Sequence, residues 1–203
     1  MGAFTYFFRD MQTLEVIVKH VIPAVAGRSK IRIWDAGCAS GQEPFSLAIL
    51  FAENMGPFGF RNFHIDATDL DVGNLFHRII TEGVYKEEEL RRMPRDYFEK
   101  YFQPAEKRGY YRIDERIRSK VSYRRHDLLS LQPIGYDYCL ILCKNVLLHL
   151  RPSERIEVIK MFHSALVPGG YLAMEQTQKM PRQVAHLFEQ VTPCAQLYRK
   201  ISV

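Results

Sequence analysis

The chain has 203 residues, enough for one domain with a substantial core, and 47% hydrophobic against 25% charged residues excludes an intrinsically disordered chain and predicts a soluble globular one. No apolar run approaches the length needed to cross a bilayer and the first residues lack the segments of a signal peptide, so a cytoplasmic protein without membrane insertion is expected. Twenty-eight Lys and Arg against 23 Asp and Glu leave a net charge of +5, concentrated at Arg91-Arg92, Arg116 to Lys120 and Arg124-Arg125-His126; this favours acidic partners, with nucleic acid and glutamate-rich protein both open on charge alone.

In chain order, Leu14, Ile17, Val18, Val21 and Ile22 have helical spacing and predict a helix over 11–25, with Pro23 near its end. The basic, β-branched stretch from Lys30 predicts a strand over 30–36. A turn from Gly37 to Gly41 leads into a helix over 43–55 that breaks at Gly56-Pro57-Phe58-Gly59. Phe63 to Ala67 is a second strand, ending in Thr68-Asp69-Leu70-Asp71, and a helix over 71–81 follows and stops at Gly83. This βαβα opening predicts a doubly wound α/β fold, a mostly parallel sheet covered by helices. Residues 86–126 break the alternation with short charged helices over 87–92 and 94–102, then two β-rich stretches, 110–113 and 120–123, expected to pair antiparallel. They are expected to form a small β-subdomain inserted into a single domain over 1–203. The apolar run 136–143 predicts a central strand. Residues 153–166 predict a helix with Pro152 at its start, and Pro168-Gly169-Gly170 a turn into a strand over 171–174. A last helix over 182–190 and a closing strand over 195–201 complete the expectation.

In such a fold, ligands sit beyond the carboxyl ends of the strands. The first of those ends is Trp34-Asp35-Ala36-Gly37-Cys38-Ala39-Ser40-Gly41, where Gly37 and Gly41 can take positive φ and let a ligand approach the backbone. The loop lacks the third glycine of dinucleotide folds and the lysine of Walker loops. Its exit carries Glu43, which would repel a pyrophosphate but suits the cationic sulfonium and α-amino group of S-adenosylmethionine (SAM). Asp69 is placed to accept hydrogen bonds from both ribose hydroxyls, with helix capping the competing role for its neighbour Asp71. Asp127 could accept from an adenine amino group while Leu128 packs on the ring. Asn145 would face the reactive end.

Other chemistries lack their residues. There is no Gly-x-Ser-x-Gly elbow, no His-Glu-x-x-His and no clustered histidine set for a metal, and His20, His64, His77, His163 and His186 have no partner spacing. Asn145-Val146-Leu147-Leu148 lacks the Asn-Pro-Pro-Tyr pattern used on exocyclic nitrogens. Cys38, Cys139, Cys143 and Cys194 have no paired spacing and read as reduced packing residues, Cys139 and Cys143 facing one side of their strand.

These residues resemble the CheR-type chemotaxis receptor methyltransferases, which use SAM to esterify receptor glutamates. The likeness runs through Phe4-Thr5-Tyr6-Phe7-Phe8-Arg9, Trp34 to Ser46, Ala67 to Asp71, Gly83-Val84-Tyr85, Tyr101-Phe102, Cys143 to Leu147 and Pro168 to Tyr171, in the family's order. It implies a seven-stranded class I, Rossmann-like methyltransferase sheet that binds SAM and releases S-adenosylhomocysteine (SAH). Thr5 and Arg9 would approach the methionine and reacting end, Glu43 the amino group, Asp69 the ribose, and Asp127, Leu128, Asn145 and Val146 the adenosine side. Arg9, with Lys144 and His149, would orient the acceptor, an acidic protein such as the cytoplasmic part of a receptor, with no stable nucleic-acid partner. The inserted subdomain resembles the one that docks a receptor tail in some members. The family's amino-terminal helical domain has no counterpart here. Ala3 stands where the family commonly has Asn, Lys144 where it has Arg, His149 where it has Tyr, and Glu175-Gln176-Thr177 where it has Gly-His-Ser. These departures motivate two alternatives: a SAM methyltransferase for a small metabolite or RNA, and a non-catalytic SAM or SAH-binding module.

Overall fold

The computed structural model describes residues 5–201, so Ala3 and Phe4 lie outside the described residues. Helix α1 (Met11–Val25) turns Leu14, Ile17, Val18, Val21 and Val25 inward, the stripe expected of an amphipathic helix. Strand β1 (Ile31–Ala36) feeds helix α2 (Gln42–Arg61), and strand β2 (Phe63–Asp69) is followed by helix α3 (Phe76–Glu82). Then come β3 (Val84–Lys86), α4 (Glu87–Leu90), α5 (Arg95–Tyr101), β4 (Phe102–Pro104), β5 (Tyr110–Ile113), α6 (Glu115–Arg118) and β6 (Val121–Arg125). The chain closes with β7 (Tyr138–Cys143), α7 (Pro152–Ala165), β8 (Leu166–Met174), β9 (Phe188–Gln190) and β10 (Leu197–Lys200).

Seven strands form the main sheet in the order β6-β2-β1-β7-β8-β10-β9. The first five run parallel and β10 runs antiparallel to β8 and β9. The chain builds outward from β1 first to one side, through β2, and then to the other, through β7. The switch point therefore falls between β1 and β7, where the carboxyl ends of doubly wound strands leave a crevice. One buried cluster, including Ile33, Phe45, Ile65 and Leu140, joins the sheet to α1, α2 and the subdomain. A second cluster packs Trp34, Ile141 and Leu172 with Phe162 of α7. Toward the amino ends of the strands, Arg32 of β1 donates to Asp66 of β2 at 2.6 Å and the Tyr138 hydroxyl of β7 donates to the same oxygen at 2.8 Å, tying three strands together.

Several elements differ from the sequence-based expectation. Tyr110–Ile113 does not pair with 120–123: β5 lies between β3 and β4 in a three-stranded antiparallel sheet, whereas β6 joins the edge of the main sheet parallel to β2. The alternation of Val121 and Tyr123 with polar neighbours serves an edge strand equally well, because pattern encodes a half-buried face and not a partner. The small sheet thus starts before residue 86, at Val84, and ends before residue 121. The helix over 43–55 kinks at Gly56 and resumes to Arg61. Helix α3 starts at Phe76, because Asp71 to Asn74 form a turn whose Asp71 carboxylate accepts from Leu75 and Phe76 N–H. Pro168 to Gly170 lie within β8, beside a bulge against β7, and 182–190 is a 3-10 turn (Arg182–Leu187) followed by β9. The same irregularity separates Cys139 and Cys143: both are buried, but in different clusters.

Candidate functional site

At the switch point lies a cleft of about 1160 Å³ lined from four strand ends, the amino-terminal segment and the loop before α3. Thr5, Arg9, Gly37, Glu43, Asp69, Asp127, Leu128, Lys144, Asn145, Val146 and His149 all border it. Gly41 does not. Its φ of 94° starts α2, and a Cβ there would fall 2.7 Å from Ile80 Cγ1 and 2.9 Å from the Tyr85 hydroxyl, so this glycine serves packing beneath the loop.

The glycine loop hangs from the end of β2. Gly37 and Cys38 N–H both donate to the Thr68 carbonyl, at 2.7 and 3.0 Å, and Ala39 N–H donates to Asp69 Oδ2 at 2.9 Å. A Cβ on Gly37 would sit 2.1 Å from Val146 Cγ2, so the β1 loop and the turn after β7 touch only because this residue has no side chain. Asp69 Oδ1 accepts from Asp71 N–H at 3.1 Å. Each Asp69 oxygen thus spends one acceptor direction on the backbone, and a carboxylate retains further ones for ligand hydroxyls. Asp71 is buried and caps α3, the competing role considered for it. Asp127, exposed, accepts from Leu129 N–H at 2.9 Å and opens a 3-10 turn that presents Leu128 to the cleft.

Lys144 departs from its expected role. Its side chain is 1% exposed and its ammonium lies 3.1 Å from Glu43 Oε2 and 3.5 Å from Asp10 Oδ2. Burial works against the charge, but Glu43, Asp10 and the more remote Asp35 outweigh it and hold the ammonium above its ordinary pKa. With two carboxylates on it, Lys144 orients Glu43 at the mouth of α2 and is not offered to an acceptor. Arg9 borders the cleft, and its Nη2 donates to Asn145 Oδ1 at 3.1 Å. His149 is exposed at the rim.

Three residues stand out that sequence reasoning left without a role. Asp35 is fully buried with neither carboxylate oxygen hydrogen-bonded; burial first, then Glu43 and Asp69, push its pKa well up against the opposing Lys144, which favours the neutral acid. Its position just before the glycine loop, an acid at the end of an apolar strand, is the available signal. His126 lines the cleft with its Nε2 against the Gln132 carbonyl at 2.8 Å and its ring edge-on to Trp34. Glu175 accepts from Asn145 N–H at 3.1 Å. The backbone around the cleft is also unusual: Phe8, Asp10, Ala39, Asp71 and Asn145 take φ between 40° and 59°.

 Left-handed backbone at residues other than glycine is costly, and its concentration here marks a site whose shape the surrounding fold enforces.

The charged groups fit an adenosyl cofactor better than a phosphorylated one. Acids at Glu43, Asp69 and Asp127 line the cleft, the lysine there is already neutralised, and the loop has no run of glycine N–H groups free for a pyrophosphate. That set matches a ligand with a cationic end, a vicinal diol and an aromatic base.

The comparisons with known proteins identify the family. The family model described as CheR methyltransferase, SAM binding domain, matches residues 3–195. A probable chemotaxis protein methyltransferase of Rhizobium etli is 27% identical over 194 residues, covering 93% of this chain and 72% of that protein. A chemotaxis protein methyltransferase of Listeria innocua is 34% identical over 169 residues, covering 82% of this chain and 61% of that one. Chemotaxis protein methyltransferase 2 of Vibrio cholerae is 29% identical over 184 residues, covering 88% and 62%. The chain therefore spans between 61% and 72% of the length of these relatives. With the family model matched over nearly its whole length and the cleft built from the residues that carry the likeness, the chain belongs to the CheR methyltransferase SAM-binding domain family.

Proposed function

We propose that this domain transfers a methyl group from SAM to the side-chain carboxylate of a protein glutamate, on the cytoplasmic part of a chemotaxis-type receptor. The observation that carries this reading is the presence in one cleft of the Arg9–Asn145 pair together with Glu43 and Asp69: a guanidinium suited to an anionic acceptor, and carboxylates suited to a cationic cofactor bearing hydroxyls. Glu43 would hold the amino group, Asp69 the ribose hydroxyls and Asp127 the adenine amino group, with Leu128 and Val146 packing on the ring. SAM, when bound, supplies an electrophilic methyl on a sulfonium.

The residues of the chain then have little proton chemistry to perform. A glutamate with a pKa of about 4.3 is already an anion at neutral pH and needs no general base. What remains is to hold it in line with the methyl and strip its water. Arg9 offers a planar fork that matches a carboxylate, and Asn145 fixes one of its nitrogens. His149 at the rim can meet the incoming chain, and the net charge of +5 favours an acidic substrate.

The test is incubation with methyl-labelled SAM and cytoplasmic receptor fragments. A methyl ester released by mild base is expected. Label that survives mild base, or appears on RNA or a small metabolite instead, counts against a glutamate acceptor.

A further inference from the structure

Glu175 directly follows β8, beside the turn that carries Asn145, and it does not itself line the cleft. It is 5% exposed; Oε2 accepts the Asn145 N–H at 3.1 Å, while Oε1 is buried without a hydrogen-bond partner. Burying a carboxyl group with one oxygen unanswered is costly, and the hydrogen bond it does make goes to the backbone of Asn145. The residue it grips is in the left-handed region at φ 59°, a conformation that needs support from outside.

The far side of that residue faces the site. Asn145 Oδ1 accepts from Arg9 Nη2, and the adjoining Val146 fills the space that Gly37 leaves open. The next residue, Gln176, donates to Thr13 Oγ1 at 2.9 Å in the first turn of α1, directly after the segment that supplies Arg9. Residue 175 therefore holds Asn145 from behind, and residue 176 ties down the first turn of the helix that follows Arg9.

We propose that Glu175 is a positioning residue of the methyl-transfer site: its carboxylate sets the backbone of Asn145, and through Asn145 the guanidinium of Arg9, in the geometry that accepts the adenosyl cofactor. This rests on the function proposed above and adds to it a residue outside the cleft. The test measures SAH binding by calorimetry for the wild-type chain, Glu175→Gln, Glu175→Met, Asn145→Ala and the Glu175→Met/Asn145→Ala double variant. Gln keeps an acceptor for the Asn145 N–H and is expected to bind SAH within about 3-fold of wild type, whereas Met fills the volume without one and is expected to weaken binding about 10-fold or more. Because Glu175 acts through Asn145, the double variant is expected to bind no more than about 3-fold weaker than Asn145→Ala alone. Wild-type affinity in Glu175→Met, or effects that multiply in the double variant, would overturn the inference while leaving the cofactor reading intact. No heat with the wild-type chain would overturn the cofactor reading and this inference with it. Hydrogen exchange on the wild-type chain reads the same bond without a variant: the Asn145 N–H is expected to be protected, and exchange at the rate of an open loop amide would count against the proposal.

Discussion

A methyl group on Gly37 would meet Val146 Cγ2 at 2.1 Å on a residue whose φ is 106°. Gly37→Ala is therefore expected to cost about 2 kcal/mol or more in urea unfolding and to weaken SAH binding, and adding Val146→Ala should recover part of the loss by opening the space while leaving the torsional strain. Lys144→Met tests a different physics. It would leave Glu43 and Asp10 facing a buried hydrocarbon, with an expected cost of about 3 kcal/mol that Glu43→Gln in the same chain should reduce. The sign of the pH effect follows from the raised pKa of Lys144: its ion pairs stabilise the fold fully below the ordinary lysine range and are lost as pH rises through the higher folded value. Melting temperature should fall more steeply at alkaline pH for the wild-type chain than for the Lys144→Met chain, which lacks this contribution. The places of Asp69 and Asn145 are legible in the sequence because each stands at a strand end, and that of Glu43 because it opens the helix after the first such end, where topology places ligands whatever the loops do. Lys144 is legible as a charge but not in its role, since its partners Asp10 and Glu43 come from other elements and only the fold brings them to it.

At the scale of elements, Asp66 joins β2 to β1 and β7. Burial pushes its carboxyl up, but the hydrogen bonds from the Tyr138 hydroxyl and the Arg32 guanidinium outweigh this and hold it below the ordinary aspartate range. A lowered folded pKa stabilises the protein above the unfolded value, and that contribution disappears as pH falls through the folded one. Asp66→Asn is expected to cost about 1–2 kcal/mol near neutrality and to flatten the acid side of a plot of urea midpoint against pH. The parallel core of the fold is readable in advance, because β7 is an apolar run, β1 and β2 carry β-branched and aromatic residues between turn signals, and α1 and α7 have clear helical limits. Short elements are not. Phe188–Gln190 and Val121–Arg125 are strands by virtue of their neighbours β10 and β2, and three to five residues carry too little periodicity to announce a partner.

For the whole molecule, the Tyr85 side chain links the small antiparallel sheet to the glycine loop beside the cleft. Tyr85 of β3 is buried, packs edge-on against Phe7, and donates its hydroxyl to the Ser40 carbonyl at 2.9 Å in the glycine loop. Tyr85→Phe keeps the packing and removes that bond, so a loss of about 1 kcal/mol in stability is expected, with SAH affinity falling alongside it. Calorimetry that finds stability reduced and SAH affinity untouched would separate the subdomain from the loop. The left-handed residues around the cleft have a wider consequence. Ala39 would sit more comfortably as glycine, and selection of random variants for heat tolerance alone should be drawn to relax such torsions wherever core packing, as at buried Phe8, does not oppose it. Clones recovered in that way are expected to survive hotter and to grip their ligand less firmly, because the tension that such a screen removes is what keeps the mouth of the cleft in shape.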